Sequence, residues 1–201
     1  NELIKFSRET AEKAVHMINA KPVKGGRYDV VLDSAMTGVY THEAFGHATE
    51  ADGIINKSSI LADKINKRVG REIITIIDDP TIPNARGSFK FDQEGVKAKR
   101  RVLVRDGILN EYLNSIETST KIKMKQNGAA RAMDISSLPI PRMSNTFIMP
   151  SKESVDIYEG IKEGVAFFDF QYGYTNPGSG NFMFKSQYGR ICICGRCHGR
   201  R

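Results

Sequence analysis

The fold is indicated most clearly by the stretch Arg101-Val102-Leu103-Val104-Arg105-Asp106-Gly107-Ile108-Leu109-Asn110-Glu111-Tyr112-Leu113. Asp-Gly between two apolar runs is a strong signal for a two-residue hairpin turn, because such a turn needs positive φ at both central residues. The stretch therefore predicts two antiparallel strands, over residues 101–105 and 108–113.

Further strands and a few helices are predicted on either side of this hairpin. Residues 73–77 indicate a buried strand, and alternating aromatic residues over 168–174 predict a strand that buries one face. Helices are predicted over 7–19, where Ser7 can cap the first turn, and over 36–51 and 58–69. Shorter features are a strand at 88–91, a loop over 127–150, and a helix from Ser151 to about 164. The expected fold class is α+β: a largely antiparallel β domain with a helix that carries residues 42–47.

The composition excludes several classes of protein. Of the 201 residues, 40% are hydrophobic, which is enough for a sizeable core and excludes a disordered chain. The longest apolar runs are strand-sized and too short to span a bilayer. No secretory signal is visible. We expect a cytoplasmic protein without membrane association.

The positive charge is concentrated in one stretch. The formal net charge is +7, and residues 97–125 hold eight basic and three acidic side chains. A basic stretch can attract phosphate backbones. No nucleic-acid motif accompanies it and aromatic residues are sparse there, so a solvated strand surface is favoured and a nucleic-acid partner is not expected.

All three cysteines, Cys192, Cys194 and Cys197, lie in the last ten residues. Their absence elsewhere is typical of a cytosolic protein without a disulfide framework. Cys194, Cys197 and His198 match the C-x-x-C-H pattern of haem attachment, or half of a zinc site. A short, Arg-rich, unstructured end is the favoured alternative.

The densest group of chemically active residues is Thr41-His42-Glu43-Ala44-Phe45-Gly46-His47. Two imidazoles suit zinc, and a carboxylate beside a metal can take a proton from water. Zinc peptidases commonly use H-E-x-x-H, with the histidines four residues apart on one helix face. Here the spacing is five, which rotates the second ring by about 140° on an ideal helix.

The spacing leaves two alternatives open. Either the two histidines are unrelated, or a π-bulge or helix break between Ala44 and His47 returns them to one face. The second alternative predicts such a distortion near Gly46. Glu50 and Asp52 could orient the imidazoles, although plain surface acids are favoured.

Several further blocks appear in the same order as in the TldD/PmbA family of metallopeptidases, which the chain resembles. They are His47-Ala48-Thr49-Glu50-Ala51-Asp52, Asp78-Asp79-Pro80, Arg86-Gly87-Ser88 with Asp92-x-Glu94-Gly95, Leu138-Pro139-Ile140-Pro141-Arg142-Met143-Ser144-Asn145-Thr146, and Ser179-Gly180-Asn181-Phe182. Together with His42-Glu43-x-x-x-His47 they span residues 28 to about 190.

The resemblance implies a Zn²⁺-dependent peptidase of the TldD-like type. It implies that His42 and His47 bind the metal and that Glu43 is the catalytic base. It also implies a substrate of unfolded or extended peptide, and a homodimer or a heterodimer with a paralogous PmbA-type subunit. The label "modulator of DNA gyrase" in this family implies no DNA chemistry. The rival interpretation is a non-catalytic partner or binding subunit.

The resemblance also suggests how the chain is divided. Residues 1–20 are expected to be a remnant helix of an N-terminal domain, 21–27 a linker, 28–190 a partial C-terminal metallopeptidase domain, and 191–201 an atypical tail. The family's third zinc ligand is a Cys well beyond residue 182, and none of the three cysteines here is assigned to it. With two assignable ligands, the 201-residue chain alone is expected to have little or no peptidase activity.

Overall fold

The computed structural model describes residues 2–151, 156–193 and 196–198. The elements follow in the order α1 (Glu2–Ile18), β1 (Asp29–Leu32), α2 (Ser34–Tyr40), a π-helical turn (Thr41–Gly46), a 3-10 turn (His47–Thr49), α3 (Ala51–Ile55), β2 (Ile76–Asp78), β3 (Arg101–Arg105), β4 (Ile108–Leu109), α4 (Ile116–Lys121), β5 (Ala130–Arg131), β6 (Ile140–Pro141), β7 (Thr146–Ile148), β8 (Glu163–Asn176), β9 (Asn181–Ile193) and β10 (Arg196–His198). Short helices and mainly antiparallel strands confirm the predicted α+β class.

The described strands form three sheets. One has the order β1-β8-β9-β10, the second β4-β3-β2-β7, and β5 pairs with β6 alone. Only the β1–β8 pair is parallel; every other strand pair within these sheets is antiparallel. The long β8–β9 hairpin dominates the first sheet.

The hairpin predicted from Asp106-Gly107 is present in the second sheet. Val104 pairs with Leu109 and Arg105 with Ile108. Asp106 has φ 48° and Gly107 φ 77°, as the two central residues of such a turn require. The prediction of antiparallel pairing at this position is confirmed.

The main hydrophobic core joins this second sheet to the segment that follows His47. Ala48 and Ala51 pack there with Leu103, Leu109 and Leu113 and are almost completely buried. The backbone is tied to the same place, because Ala51 N–H donates to Leu113 O at 3.0 Å and Leu113 N–H donates to Thr49 O at 3.0 Å. The chain just after His47 is therefore anchored in the core.

The π-helical turn lies between the two larger sheets. It contacts β7 of the second sheet and both β8 and β9 of the first. Tyr40, just before it, stacks edge-on against Phe182 with 5.3 Å between ring centroids. Residues 41–46 are thus held from two sides, which limits how far the side chains they carry can shift.

Several predicted elements differ from the structure. Residues 58–69 form turns, not a helix, because Asp63 and Asn66 have positive φ, which an α-helix cannot contain. Ser7 lies inside α1, where its hydroxyl donates to Leu3 O, so it is not the cap. The loop predicted over 127–150 contains β5, β6 and β7. Residues 157–160 form a turn, not a helix, while 152–155 of the helix predicted after Ser151 lie outside the described residues.

The strand predicted over 168–174 exists as the central part of β8, but it does not bury one face along its length. Val165 and Ala166 are buried, whereas Tyr172 and Tyr174 are 50% and 61% exposed. The outer half of the β8–β9 hairpin therefore extends away from the core with its aromatic side chains partly in solvent.

The tail has more structure than the sequence suggested. Residues 191–193 complete β9, and β10 pairs with them antiparallel. Cys192 is buried and disulfide-bonded, so the expectation of a chain without disulfides is wrong. Cys194 and residues 199–201 lie outside the described residues, as do the side chains of Cys197 and His198, which the haem-attachment and zinc alternatives would require.

No helix in the described part of the chain combines the length and the apolar composition that crossing a bilayer requires. Helix α1 has no buried residues along its described length. Lys13 connects it to β8 through an ion pair with Asp169, with 2.9 Å between Nζ and Oδ2.

Candidate metal centre

The segment that carries His42, Glu43 and His47 starts from a well-capped helix. The Asp33 carboxylate accepts a hydrogen bond from Met36 N–H at 2.8 Å and so caps α2. At the other end of α2 the Thr41 hydroxyl donates to Thr37 O at 2.7 Å, inside the same turn. Helix α2 then passes directly into the π-helical turn without a break in the chain direction.

The π-helical turn is the distortion that the five-residue spacing required. The N–H of His47 donates to the carbonyl of His42, an i→i+5 hydrogen bond that places the two residues one above the other. The predicted distortion between Ala44 and His47 is therefore present. Both rings are on one face, with 4.9 Å between their centroids and 81° between their planes.

Gly46 is required in this turn because of space, not because of its backbone angles. It has φ −56°, which any residue can adopt. A Cβ atom at this position would overlap the Sδ atom of Met143, and the Met143 side chain is buried in the main core. The absence of a side chain allows the turn to press against the loop after β6.

Replacing Gly46 by Ala is expected to lower the free energy of unfolding by about 1–3 kcal/mol, because the added methyl group must displace buried Met143. Gly38→Ala is the matched control, since an added Cβ at Gly38 in α2 meets no atom within 4 Å. That variant should be neutral or stabilised by up to about 1 kcal/mol. Urea unfolding measures both, and equal changes would show that Met143 does not constrain the turn.

Possible metal-ligand atoms of His42, Glu43 and His47 all lie within 4.8 Å of one another. The Glu43 carboxylate stands between the rings, 3.9 Å from His42 Nε2 and 3.7 Å from His47 Nε2. Two atoms that share a tetrahedral zinc at about 2.0–2.1 Å are themselves about 3.4 Å apart. Small side-chain rotations would therefore bring both imidazoles to one ion.

The two imidazoles have different electrostatic surroundings. Burial lowers the pKa of His42, and the nearby His47 acts in the same direction. The hydrogen bond with Glu50 raises the pKa of His47 above its ordinary value. A ring nitrogen that binds a metal must be unprotonated, so protons would compete with any metal held here.

The Glu50 side chain is not a surface acid. It is only 9% exposed, and its carboxylate meets both Nδ1 of His47 and the guanidinium of Arg142. The Asp52 carboxylate, in contrast, accepts a hydrogen bond from the neighbouring Gly53 N–H at 2.9 Å. Sequence reasoning did not single out Arg142, although it lies in the Leu138–Thr146 block quoted for the family resemblance.

The residues that converge fit a zinc ion. Two neutral imidazoles and a carboxylate are a donor set that zinc accepts. They are the only group of three potential ligands found in the described part of the chain. Cys192 is not part of it.

A family model for the PmbA/TldA metallopeptidase C-terminal domain matches residues 25–199. The chain belongs to the PmbA/TldA metallopeptidase family. This confirms the resemblance inferred from the motifs, and the match continues past residue 190, where that resemblance was expected to end.

Individual relatives agree with this membership. The chain is 43% identical over 186 residues to a metalloprotease of Methanothermobacter thermautotrophicus, covering 92% of this chain and 40% of the relative. It is 33% identical over 180 residues to a zinc metalloprotease TldD homolog of Saccharolobus solfataricus, covering 89% and 40%. The chain thus spans about two fifths of the length of these relatives.

A solved structure shares the fold. TldE from Thermococcus kodakarensis superposes with a TM-score of 0.78 at 20% identity, covering 90% of this chain and 42% of the other. At this level of identity the likeness concerns the fold alone.

Proposed function

We propose that this chain is the metal-binding part of a zinc peptidase, in which His42 and His47 hold the zinc and Glu43 is the catalytic base. The observation that carries the proposal is the π-helical turn, which puts both Nε2 atoms beside the Glu43 carboxylate. Unrelated histidines would need no such distortion. The name of the S. solfataricus relative supports zinc as the metal.

Each side chain has a separate role in this mechanism. Zinc at this position would supply Lewis-acid chemistry, polarising a peptide carbonyl and lowering the pKa of water beside it. Glu43 would accept the proton of the attacking water and later deliver it to the leaving amine. The half-buried carboxylate, between the rings and open to solvent on one side, can serve both steps.

The proposed substrate is an unfolded or extended peptide. The side chains of His42 and Glu43 are 42% and 28% exposed, so a substrate can reach them from solvent. An extended peptide can present its backbone carbonyl to the His42 and Glu43 side chains, whereas the backbone of a folded domain is already engaged in its own secondary structure.

The proposed assembly is a homodimer or a heterodimer with a paralogous PmbA-type subunit. Large apolar side chains are exposed on α1 and on the β8–β9 hairpin, among them Leu3, Phe6, Tyr174 and Met183. Exposed apolar patches often mark protein interfaces, which supports pairing.

Zinc binding by this chain tests the metal centre directly. His42→Ala and His47→Ala should each weaken zinc binding by at least about 100-fold. Loss of a residue that only supports a ligand typically costs about 10–100-fold, and loss of a ligand itself should cost more. His16→Ala is the matched control, because His16 lies on the exposed helix α1. Competition with a chromogenic chelator measures the affinities. Equal affinity in all three variants would exclude this centre as the zinc site.

A further inference from the structure

Glu50 occupies a fixed position next to the metal centre. It follows the 3-10 turn with φ −69° and ψ 123°, an extended conformation that ends this turn and starts α3. Its backbone pairs with Leu113, which is completely buried. The Cα atom of Glu50 is therefore held by the core and not by a mobile loop.

The Glu50 carboxylate is shared between two partners. Its oxygens lie 3.2 and 3.3 Å from His47 Nδ1. Arg142 Nη1 donates to the same two oxygens at 3.2 and 3.1 Å. Arg142 is itself fixed directly after β6, where its N–H donates to Ala129 O at 2.8 Å. Two segments 92 residues apart are thus joined through one carboxylate.

A carboxylate in this position decides which nitrogen of His47 carries hydrogen. An ionised carboxylate only accepts hydrogen bonds, so Nδ1 must be the donor. In the neutral ring Nε2 then carries the lone pair. That atom faces the Glu43 carboxylate at 3.7 Å, on the side where His42 also lies.

We propose that Glu50, held by Arg142, is a positioning residue that fixes the His47 ring and its tautomer with Nε2 directed at the metal position. The role of His47 as a ligand rests on the proposed function; the orientation of its ring does not. Outer partners of this kind set the tautomer and basicity of ligating histidines in other metal sites.

Among the described residues, His42 has no partner equivalent to Glu50. In the described part of the chain no second carboxylate meets its Nδ1, and its side chain is 42% exposed against 26% for His47. The two histidines therefore differ: the His47 ring is oriented before a metal arrives, and the His42 ring keeps more freedom.

The first test reads the His47 tautomer without any metal. Nitrogen-15 NMR of the metal-free 201-residue chain, at a pH high enough for the His47 ring to be neutral, should show His47 protonated at Nδ1. Glu50→Gln should shift the ring toward a mixture of tautomers, while Asp52→Asn should leave it unchanged. A His47 tautomer that is the same in all three proteins would overturn the proposal.

The second test measures zinc affinity by chelator competition. Glu50→Gln should weaken binding by about 10–100-fold, and Asp52→Asn should have no effect. Should Glu50→Gln fail to fold, Arg142→Gln gives the same two readouts, because the freed carboxylate can turn away from His47. Unchanged zinc affinity in a folded Glu50→Gln or Arg142→Gln protein counts against the proposal. If the unaltered chain binds no zinc, the proposed function fails, while the tautomer still decides whether Glu50 orients the ring.

Discussion

Replacing Glu43 by Gln is expected to lower peptide turnover by about 10²–10⁴-fold, the contribution typical of a positioned general base. The amide has nearly the same shape as the carboxylate but cannot accept the proton of the attacking water. Zinc binding should remain, because His42 and His47 are unchanged. The measurement is cleavage of an unstructured peptide by a protein of full family length with its partner subunit.

The matched control for Glu43→Gln is Glu72→Gln. Glu72 is an exposed acid that contacts Arg68 at 3.1 Å, away from the histidines. It should leave both turnover and zinc content unchanged. Normal turnover by the Glu43→Gln protein, at full zinc content, would remove Glu43 from the proposed mechanism.

The second large effect is expected at Arg101. The basic residues of the 97–125 stretch were expected to lie on a solvated surface. For Arg101 this is wrong, because its side chain is completely buried. It pairs with Asp78, with 2.9 Å between Nε and Oδ2. Its guanidinium also donates to the carbonyls of Asn127 and Gly128.

Arg101→Met is expected to lower the free energy of unfolding by about 3–5 kcal/mol, because it leaves the Asp78 charge buried without its partner. Hydrogen bonds from Ser144 and Thr146 to Asp78 remain, but they are neutral donors. Arg105→Met is the control: Arg105 ends the same strand and is exposed, so its change should stay within about 0.5 kcal/mol.

A double variant separates lost charge pairing from lost packing. Adding Asp78→Asn to Arg101→Met removes the unpaired charge, so part of the lost stability should return. Urea unfolding measures the unaltered chain, Arg101→Met, Arg105→Met and the double variant. If the double variant is less stable than Arg101→Met alone, the penalty does not come from the uncompensated carboxylate.

Local signals in the sequence predicted the parts of the fold that depend on neighbouring residues. Asp106-Gly107 predicted a hairpin because the turn conformation is a property of those two residues. Residues 58–69 have apolar spacing suited to a helix, yet they form turns against β4. Asn66 N–H donates to Leu109 O at 2.8 Å, a contact that periodicity does not report.

The residues of the candidate metal centre were predictable from the sequence, but the contacts that hold them in place were less so. His42, Glu43 and His47 are close in sequence, and their spacing alone required a distorted helix if they were to converge. Glu50 was underestimated because its burial depends on Arg142, 92 residues away. The family motifs included Arg142 without indicating what it contacts.

The sequence by itself determined the candidate ligand residues, their five-residue spacing, the family and the antiparallel class, since these follow from residue identity and short-range order. Only the tertiary structure decided how the histidines are held. Met143 fills the space that Gly46 leaves open, and Arg142 fixes the carboxylate behind His47. Both residues directly follow β6. They could not be predicted because packing and ion pairing join residues without regard to their separation in sequence.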